Sequence, residues 1–456
     1  MEENKMGILP INKLLLSMSL PMVISMLVQA LYNVVDSIFV GQYSRDALTA
    51  VSLAFPYQNL MIAVATGTGV GMNAMLSKCL GEKDYKGANS AAGNGFVLSV
   101  ISALVFALLG LTASGIYFRL QNPNLQIIEY GKQYLMICSG LSFGLFGQVS
   151  FERMLQATGK TIYSMFSQGI GAIINIVLDP IMIFGYFGFP GMGVAGAALA
   201  TVTGQIAAMI IAYFFNKKYN DYIHLSIKYM SLKKHVVKRI YSVGFPSILM
   251  VSIGSVMTFM LNRILGGFDR ISTPYGKGAG TTATTVLGVY FKLQSFVFMP
   301  IFGMNNGMVP IIAYNYGAKH KDRIIKTIKY SIMYAMGIML IGFAFFQIMP
   351  GRLIGIFNSD PDLLNIGVKA MRIISLCFLF AGFCIVSSSV YQAMGKGMYS
   401  LLISLARQLI FILPLAFIFS LTGNLDLVWF AFPIAELTAV ALCIFFTKRL
   451  FRKIQF

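Results

Sequence analysis

Of the 16 acidic residues in this 456-residue chain, Asp36, Asp179 and Glu436 stand inside long apolar runs. A carboxylate at membrane depth costs about 2.5–3.5 kcal/mol on an insertion scale, so one that persists there is a candidate functional group. Helical spacing gives the two aspartates polar company. Gln29, Asn33 and Asp36 share one helix face, and Gln168, Ala172, Asn175 and Asp179 share another. Two polar stripes, each ending in an aspartate, can converge on a single site. Carboxylate and amide oxygens suit a hard cation such as Na⁺. Burial also disfavours the charged form of any carboxyl group, which suits H⁺. Both ions stay open, with Asp36, Asn175 and Asp179 as the expected cation-coupling residues. The alternative is a structural role as hydrogen-bonded helix glue. The run GMGVAGAALATVTGQ from Gly191 supplies small residues for close helix approach, with Thr201 as a further oxygen donor.

In the second half the positions matching Asp36 and Asp179 are not acidic. Arg263, Lys292 and Arg407 appear instead, with Glu436 on the last apolar run. Either Lys292 or Arg407 pairs with Glu436, as buried charges tend to, or Glu436 lines a cavity that attracts a cationic compound. The substrate-cavity candidates are therefore Gln29, Asn33, Gln168, Glu436, Lys292 and Arg407. Pro21 precedes Asp36 by about 15 residues, roughly 22 Å along a helix. A proline there removes a backbone hydrogen bond and makes Pro21 a candidate hinge, with a static kink as the alternative.

Other chemistries find little footing. Cys79, Cys138, Cys377, Cys384 and Cys443 form no CxxC pair and read as small buried hydrophobes. The three histidines lie in polar loops, so no metal constellation beyond Na⁺ at Asp36, Asn175 and Asp179, no cofactor and no Ser/His/Asp triad is expected. An enzyme is not expected either.

The elements that carry these residues follow from composition. The chain is 57% hydrophobic and 11% charged, with mean hydropathy +0.74, whereas soluble domains carry about 25% charged residues. An integral membrane protein is implied. Apolar runs of roughly 20 residues mean helices rather than the short alternating strands of a barrel. Twelve spans are predicted, near 14–40, 50–77, 90–115, 129–150, 160–186, 193–215, 240–265, 283–313, 325–347, 364–391, 398–421 and 427–447. The longer connections are a basic stretch at 216–239 and a Gly-rich one at 273–282.

The net charge of +19 is a topology signal, not a nucleic-acid one. About two dozen Lys and Arg fall on one set of loops and about six on the alternate set, which places both termini in the cytoplasm. No aromatic-interleaved basic patch accompanies them, so nucleic acid is not a partner. The opening MEENKMGILP is unlike a cleaved signal peptide, and the first span is expected to be retained.

The chain also repeats itself. At an offset of 236 residues, Ala47, Phe55, Gln58, Gly67, Gly71 and Gly81 fall on Ala283, Phe291, Gln294, Gly303, Gly307 and Gly317. Gln156-Ala157 and Gly159-Lys160 fall on Gln392-Ala393 and Gly395-Lys396 at the same offset, and Pro21 and Gly41 match Pro246 and Gly266 at 225. Two copies of six spans in one orientation make a parallel repeat about an axis along the membrane normal. Residues 1–225 and 226–456 would form two lobes around a cavity, an architecture suited to alternating access. Most of the 28 methionines would face lipid, and some would line an adaptable cavity.

SLPMVISMLVQALYNVVDSIFVG in span 1, GVGMNAMLSKCLGEKDYKGA after span 2, QATGK, INIVLDPIMIFG, GVAGAALATV, RQLIFILPLAFIF and FPIAEL together resemble the MATE family, the multidrug and toxic compound extrusion transporters, of the bacterial kind. The resemblance runs over essentially the whole chain. It implies a V-shaped, all-α, twelve-helix, two-lobe antiporter of the cell membrane. Such a protein exchanges H⁺ or Na⁺ for organic, cationic or amphipathic compounds, acts in efflux of xenobiotics and antibiotics, and is monomeric. In the family a span-1 aspartate and an Asn-xxx-Asp of span 5 carry cation coupling; these fall on Asp36, Asn175 and Asp179, with Thr201 beside them. A second, acidic C-lobe site found in some relatives has no acids here in spans 7, 8 and 10. The rival within the superfamily is a lipid-linked oligosaccharide flippase, which holds pyrophosphate with several cavity cations; the acidic first half argues against it.

Overall fold

The computed structural model describes residues 4–121, 124–270, 275–276, 278–357 and 360–453, and the regular elements among them are all helical. Residues 273, 274 and 277 of the Gly-rich insert lie outside the described residues. A short helix, Lys5–Ile8, leads into α1 (Ile11–Tyr43), α2 (Arg45–Gly81) and α3 (Tyr85–Gln121). Then come α4 (Leu125–Gly140), α5 (Phe143–Ala157), α6 (Thr161–Phe184) and α7 (Val194–Tyr219). The second half holds α8 (Lys234–Gly266), α9 (Ala279–Gly317), α10 (Lys321–Ile348), α11 (Pro361–Ser375) and α12 (Phe378–Ala393). It ends with α13 (Gly397–Leu405), a π-helical stretch Ala406–Ile412, α14 (Leu413–Ser420) and α15 (Ala431–Lys453).

Ten stretches are long and apolar enough to cross a membrane, and two bent pairs bring the number to twelve. The pairs are α4 with α5, bent by 43°, and α11 with α12, bent by 51°. Capping explains where several helices begin. Ser44 Oγ accepts from the Asp46 N–H ahead of α2, and Asn124 Oδ1 accepts from the Gln126 N–H ahead of α4. At the first bend Ser142 Oγ donates to the Ala103 carbonyl at 3.0 Å, tying the break to α3.

The repeat is written into the backbone. The two bends, Leu141–Ser142 and Leu376–Cys377, fall within one residue of matching repeat positions. Lys83 and Lys319 take positive φ, 60° and 58°, although they carry side chains, and Gly159 and Gly395 do so at 86° and 74°. The two lysines are 236 residues apart, and so are the two glycines.

The two six-helix bundles meet at the end that carries the basic loops, and they meet through glycine. A Cβ on Gly67 of α2 would stand 2.5 Å from Ile248 Cγ1 and 2.8 Å from the Gly244 carbonyl of α8, and one on Gly71 would overlap the Ile240 carbonyl. The counterpart contact joins α9 to α1. A Cβ on Gly303 would stand 2.6 Å from Val23 Cα, and one on Gly307 2.7 Å from Ser19 Cα. Gly81 faces the Tyr314 carbonyl and Gly317 the Lys78 carbonyl, so the contact is reciprocal about the pseudo-twofold axis. Backbones approach this closely only where no side chain intervenes.

α1 belongs to both bundles. Ile11, Leu14, Leu15 and Met18 join the apolar core of the second bundle. Arg323 of α10 donates to the carbonyls of Met6 at 3.0 Å and Leu9 at 2.8 Å, and Ser19 Oγ donates to the Met304 carbonyl at 3.1 Å. The helix then runs unbroken through the buried Pro21 and delivers Asp36 to the first bundle.

Candidate functional site

In the first bundle, α6 and α7 pack through glycine. A Cβ on Gly171 would lie 2.7 Å from the Gly204 carbonyl, and one on Gly204 2.6 Å from the Gly171 carbonyl. This approach carries Thr201 of α7 to the polar stripe of α6. Asn175 Nδ2 donates to Asp179 Oδ1 and to Thr201 Oγ1, each at 3.4 Å. Asp179 is fully buried and Asn175 nearly so.

These long bonds leave oxygen atoms over. Asp179 Oδ2, Asn175 Oδ1 and, from α1, Asp36 Oδ1 are buried with no hydrogen-bond partner among the described residues. Asp36 lies within electrostatic reach of Asp179. An unsatisfied buried polar atom costs about 1–3 kcal/mol. Three of them, two on carboxylates, form an electron-rich set that a proton or a monovalent cation satisfies. Among the described residues no three His, Cys, Asp or Glu side chains come together as a richer metal site.

Next to this set is a cavity of about 110 Å³, lined in part by Gln29, Tyr32, Gln148, Glu152, Gln168, Asn175 and Thr201. Gln168 Oε1 has no partner there. Asn33 does not line it. On the far half of α1 the arc Tyr32, Asp36 and Phe39 turns inward, while Asn33 falls on the exposed arc with Ser37, whose Oγ donates to its carbonyl. The expectation that Asn33 shares the inward stripe is therefore corrected.

Glu152 was not foreseen. It is 5% exposed, accepts from Gln148 Nε2 at 3.0 Å and Ser167 Oγ at 3.4 Å, and adds a third carboxylate to the first bundle. The hydropathy boundary at residue 150 left it in a loop, whereas α5 continues to Ala157. Its spacing of four from Gln148 was the available signal. The adjoining Arg153 is also buried. Its Nη1 donates to Gln156 Oε1 at 3.0 Å and, across the bundles, to Asn306 Oδ1 at 2.9 Å.

A larger cavity of about 560 Å³ is walled mostly by the second bundle, through α8, α9, α12, the π-helical stretch and α15, with Val70, Asn73 and Arg153 of the first bundle completing the lining. Arg153 and Asn306 line both cavities. Arg407 and Glu436 face each other here, with Nη1 at 3.4 Å from Oε2 and 3.5 Å from Oε1. The wide turn at Ala406–Ile412 sets Arg407 in a local break of the α-helical pattern, a feature frequent at functional sites.

Lys292 is not in the cavity, and its candidacy is corrected. The inward stripe of α9 runs Phe291, Gln294, Phe298, Phe302, Asn305 at steps of three and four. Lys292 lies one residue off that stripe, exposed, with Nζ 5.8 Å from the Phe357 ring. Arg263 is likewise exposed, stacked 5.5 Å from Phe259. Of the candidate cations, Arg407 partners Glu436.

The MatE family profile matches residues 21–181 and 243–418. "Multidrug export protein MepA" of Staphylococcus haemolyticus is 27% identical over 439 residues, spanning 95% of this chain and 93% of that protein. The crystal structure of MATE in complex with MaL6 superposes with a TM-score of 0.90 at 25% identity, covering 98% of both chains. An outward-facing multidrug resistance MATE family transporter of the MOP superfamily gives 0.89 at 26% identity, again over 98% of both. With the twelve-span duplicated helical fold, these matches establish that the chain is a multi-pass membrane protein belonging to the MatE family of transporters.

Proposed function

We propose that the protein is a secondary active multidrug efflux antiporter, which exports organic cationic or amphipathic compounds in exchange for inward H⁺ or Na⁺. The observation that carries this reading is the set of buried, unpartnered oxygens on Asp36, Asn175 and Asp179. Relatives that bear the name multidrug export protein support it. Residues 1–225 act as the cation-coupling lobe and residues 226–456 as its partner, in a monomer embedded in membrane lipid. The basic end faces the cytoplasm by the positive-inside rule. The glycine contacts then close the cytoplasmic side, and the conformation is outward-facing.

Coupling follows from the course of α1. Its first half is held against α9 by Ser19 and Val23, and its second half presents Asp36 to α6 and α7. A cation at Asp36 and Asp179 cancels the charge that holds α1 and α6 apart, Pro21 absorbs the change in direction, and the contact with α9 is altered from within the same helix. Thr201, Gln29 and Gln168 complete the polar lining. The membrane potential supplies about 2.3 kcal/mol per charge per 100 mV.

The flippase reading is weaker, because of the cations lining the large cavity Arg407 is paired with Glu436 and Arg153 is held by Gln156 and Asn306. The test is drug transport in proteoliposomes under an imposed H⁺ or Na⁺ gradient. Asp36→Asn and Asp179→Asn are expected to lose gradient-driven transport. If Asp36→Asn moves drug as fast as the parent under both gradients, the antiport reading is wrong.

A further inference from the structure

The second-bundle cavity has the features of a built ligand site. Its volume, about 560 Å³, falls within the roughly 300–1,000 Å³ range of drug-sized pockets. Its lining combines aromatic side chains such as Phe298 and Phe302 with a polar group that includes Arg407 and Glu436. That group is under-satisfied. A guanidinium has five N–H donors, and Arg407 engages Glu436 through Nη1 alone, at 3.4 and 3.5 Å. Charge-assisted bonds of this kind normally close to about 2.7–2.9 Å. Asn305, 5% exposed and on the same wall, has neither Nδ2 nor Oδ1 in a hydrogen bond among the described residues.

A buried ion pair is worth its desolvation only when the remaining donors and lone pairs are satisfied. A cationic ligand would serve Glu436 and leave Arg407 facing a positive charge. An anionic ligand would do the reverse. A ligand with both charges on neighbouring atoms serves both, while Arg153, which also lines the cavity, is already held by Gln156 and Asn306. We infer that this cavity binds an amphipathic zwitterion, its carboxylate on the free N–H groups of Arg407 and its ammonium on Glu436, with an aromatic tail along Phe298 and Phe302. The inference rests on the efflux reading above only in making such a compound a substrate.

The test uses the full-length protein in detergent micelles and three probes: Nε-dansyl-lysine, its methyl ester (cation only) and its Nα-acetyl derivative (anion only). Trp429, the one tryptophan of the chain, lies buried about two turns before Glu436 and serves as energy-transfer donor. The zwitterion is expected to bind at least tenfold tighter than either derivative. Arg407→Met should cost the zwitterion about tenfold and spare the methyl ester; Glu436→Gln should spare the acetyl derivative instead. If either single variant misfolds, the paired Arg407→Met, Glu436→Leu variant, which removes both charges together, should bind all three probes equally. Equal affinities in the parent, or a zwitterion preference that survives the paired change, would overturn the inference. Asp36→Asn should keep the preference. Transport unaffected by Asp36→Asn beside an intact probe series sinks the antiport reading alone, and the opposite result sinks only the zwitterion site.

Discussion

The first bundle gathers Asp36, Glu152 and Asp179 with no ion pair within 4 Å to any of them among the described residues, while Glu436 of the second faces Arg407 at 3.4 Å. Yet the bundles share positive-φ residues and glycine contacts at matching positions, and bends within one residue of them. The offset that matches the two proline-bearing helices carries Asp36 onto Leu261, a buried residue of the second apolar core. Duplication has kept what the packing of helices requires and released what the cavities do. One cavity is small and borders unfilled carboxylate and amide oxygens; the other is large, mostly apolar and lined by Arg153 and Arg407 as well as Glu436.

The largest expected effect separates the two kinds of charge. Arg407→Met alone should destabilise the protein by about 3–5 kcal/mol, since it strands Glu436, whereas removing both partners should be near neutral. Thermal unfolding in detergent measures this, and a mild single variant would mean that the two charges do not depend on each other. Next comes the shared feature. Gly71→Ala and Gly307→Ala each force a methyl group into backbone, at about 1–3 kcal/mol of overpacking. Both should open the basic end to a similar degree, read as faster labelling by a thiol reagent of a cysteine introduced beside Tyr314. Unequal responses would break the reciprocal symmetry.

A smaller effect has the opposite sign. Asp36→Asn should raise stability by about 1 kcal/mol while it abolishes coupling, because it removes an unpaired buried charge. Glu152→Gln, which can still accept from Gln148, should move stability less. A loss of stability in Asp36→Asn would point to the structural role instead. The smallest effect lies at the basic end, outside the spans. Burial and the nearby Lys160 charge hold the Lys5 ammonium below the ordinary lysine range. The folded state therefore binds this proton less well than the unfolded chain, and stability rises with pH as Lys5 loses its proton just below that range. Lys5→Met should flatten that rise, seen by comparing melting temperatures across alkaline pH.

The meeting of Asn175, Asp179 and Thr201 was legible because the first two share one helix face and the third lies on a run of small residues. Glu152 was not, since hydropathy ends a span where apolar residues thin out, while the helix itself continues until its hydrogen bonds stop. Lys292 and Asn33 failed for a related reason: composition puts a polar residue within a span, but a shift of one residue turns it about 100° to another face.

What the sequence determined by itself was local or periodic: twelve spans, their duplication, and the scarcity of charge that singles out Asp36, Asp179 and Glu436. Apolar length and repeat offset are properties of neighbours in the chain, so no tertiary knowledge is needed to see them. Only the tertiary structure decided that Arg407, rather than Lys292, meets Glu436. The same is true of α1, which starts in one bundle's core and ends in the other's site. Both depend on helix rotation and on contacts between residues far apart in sequence, and those are set by packing the whole chain at once.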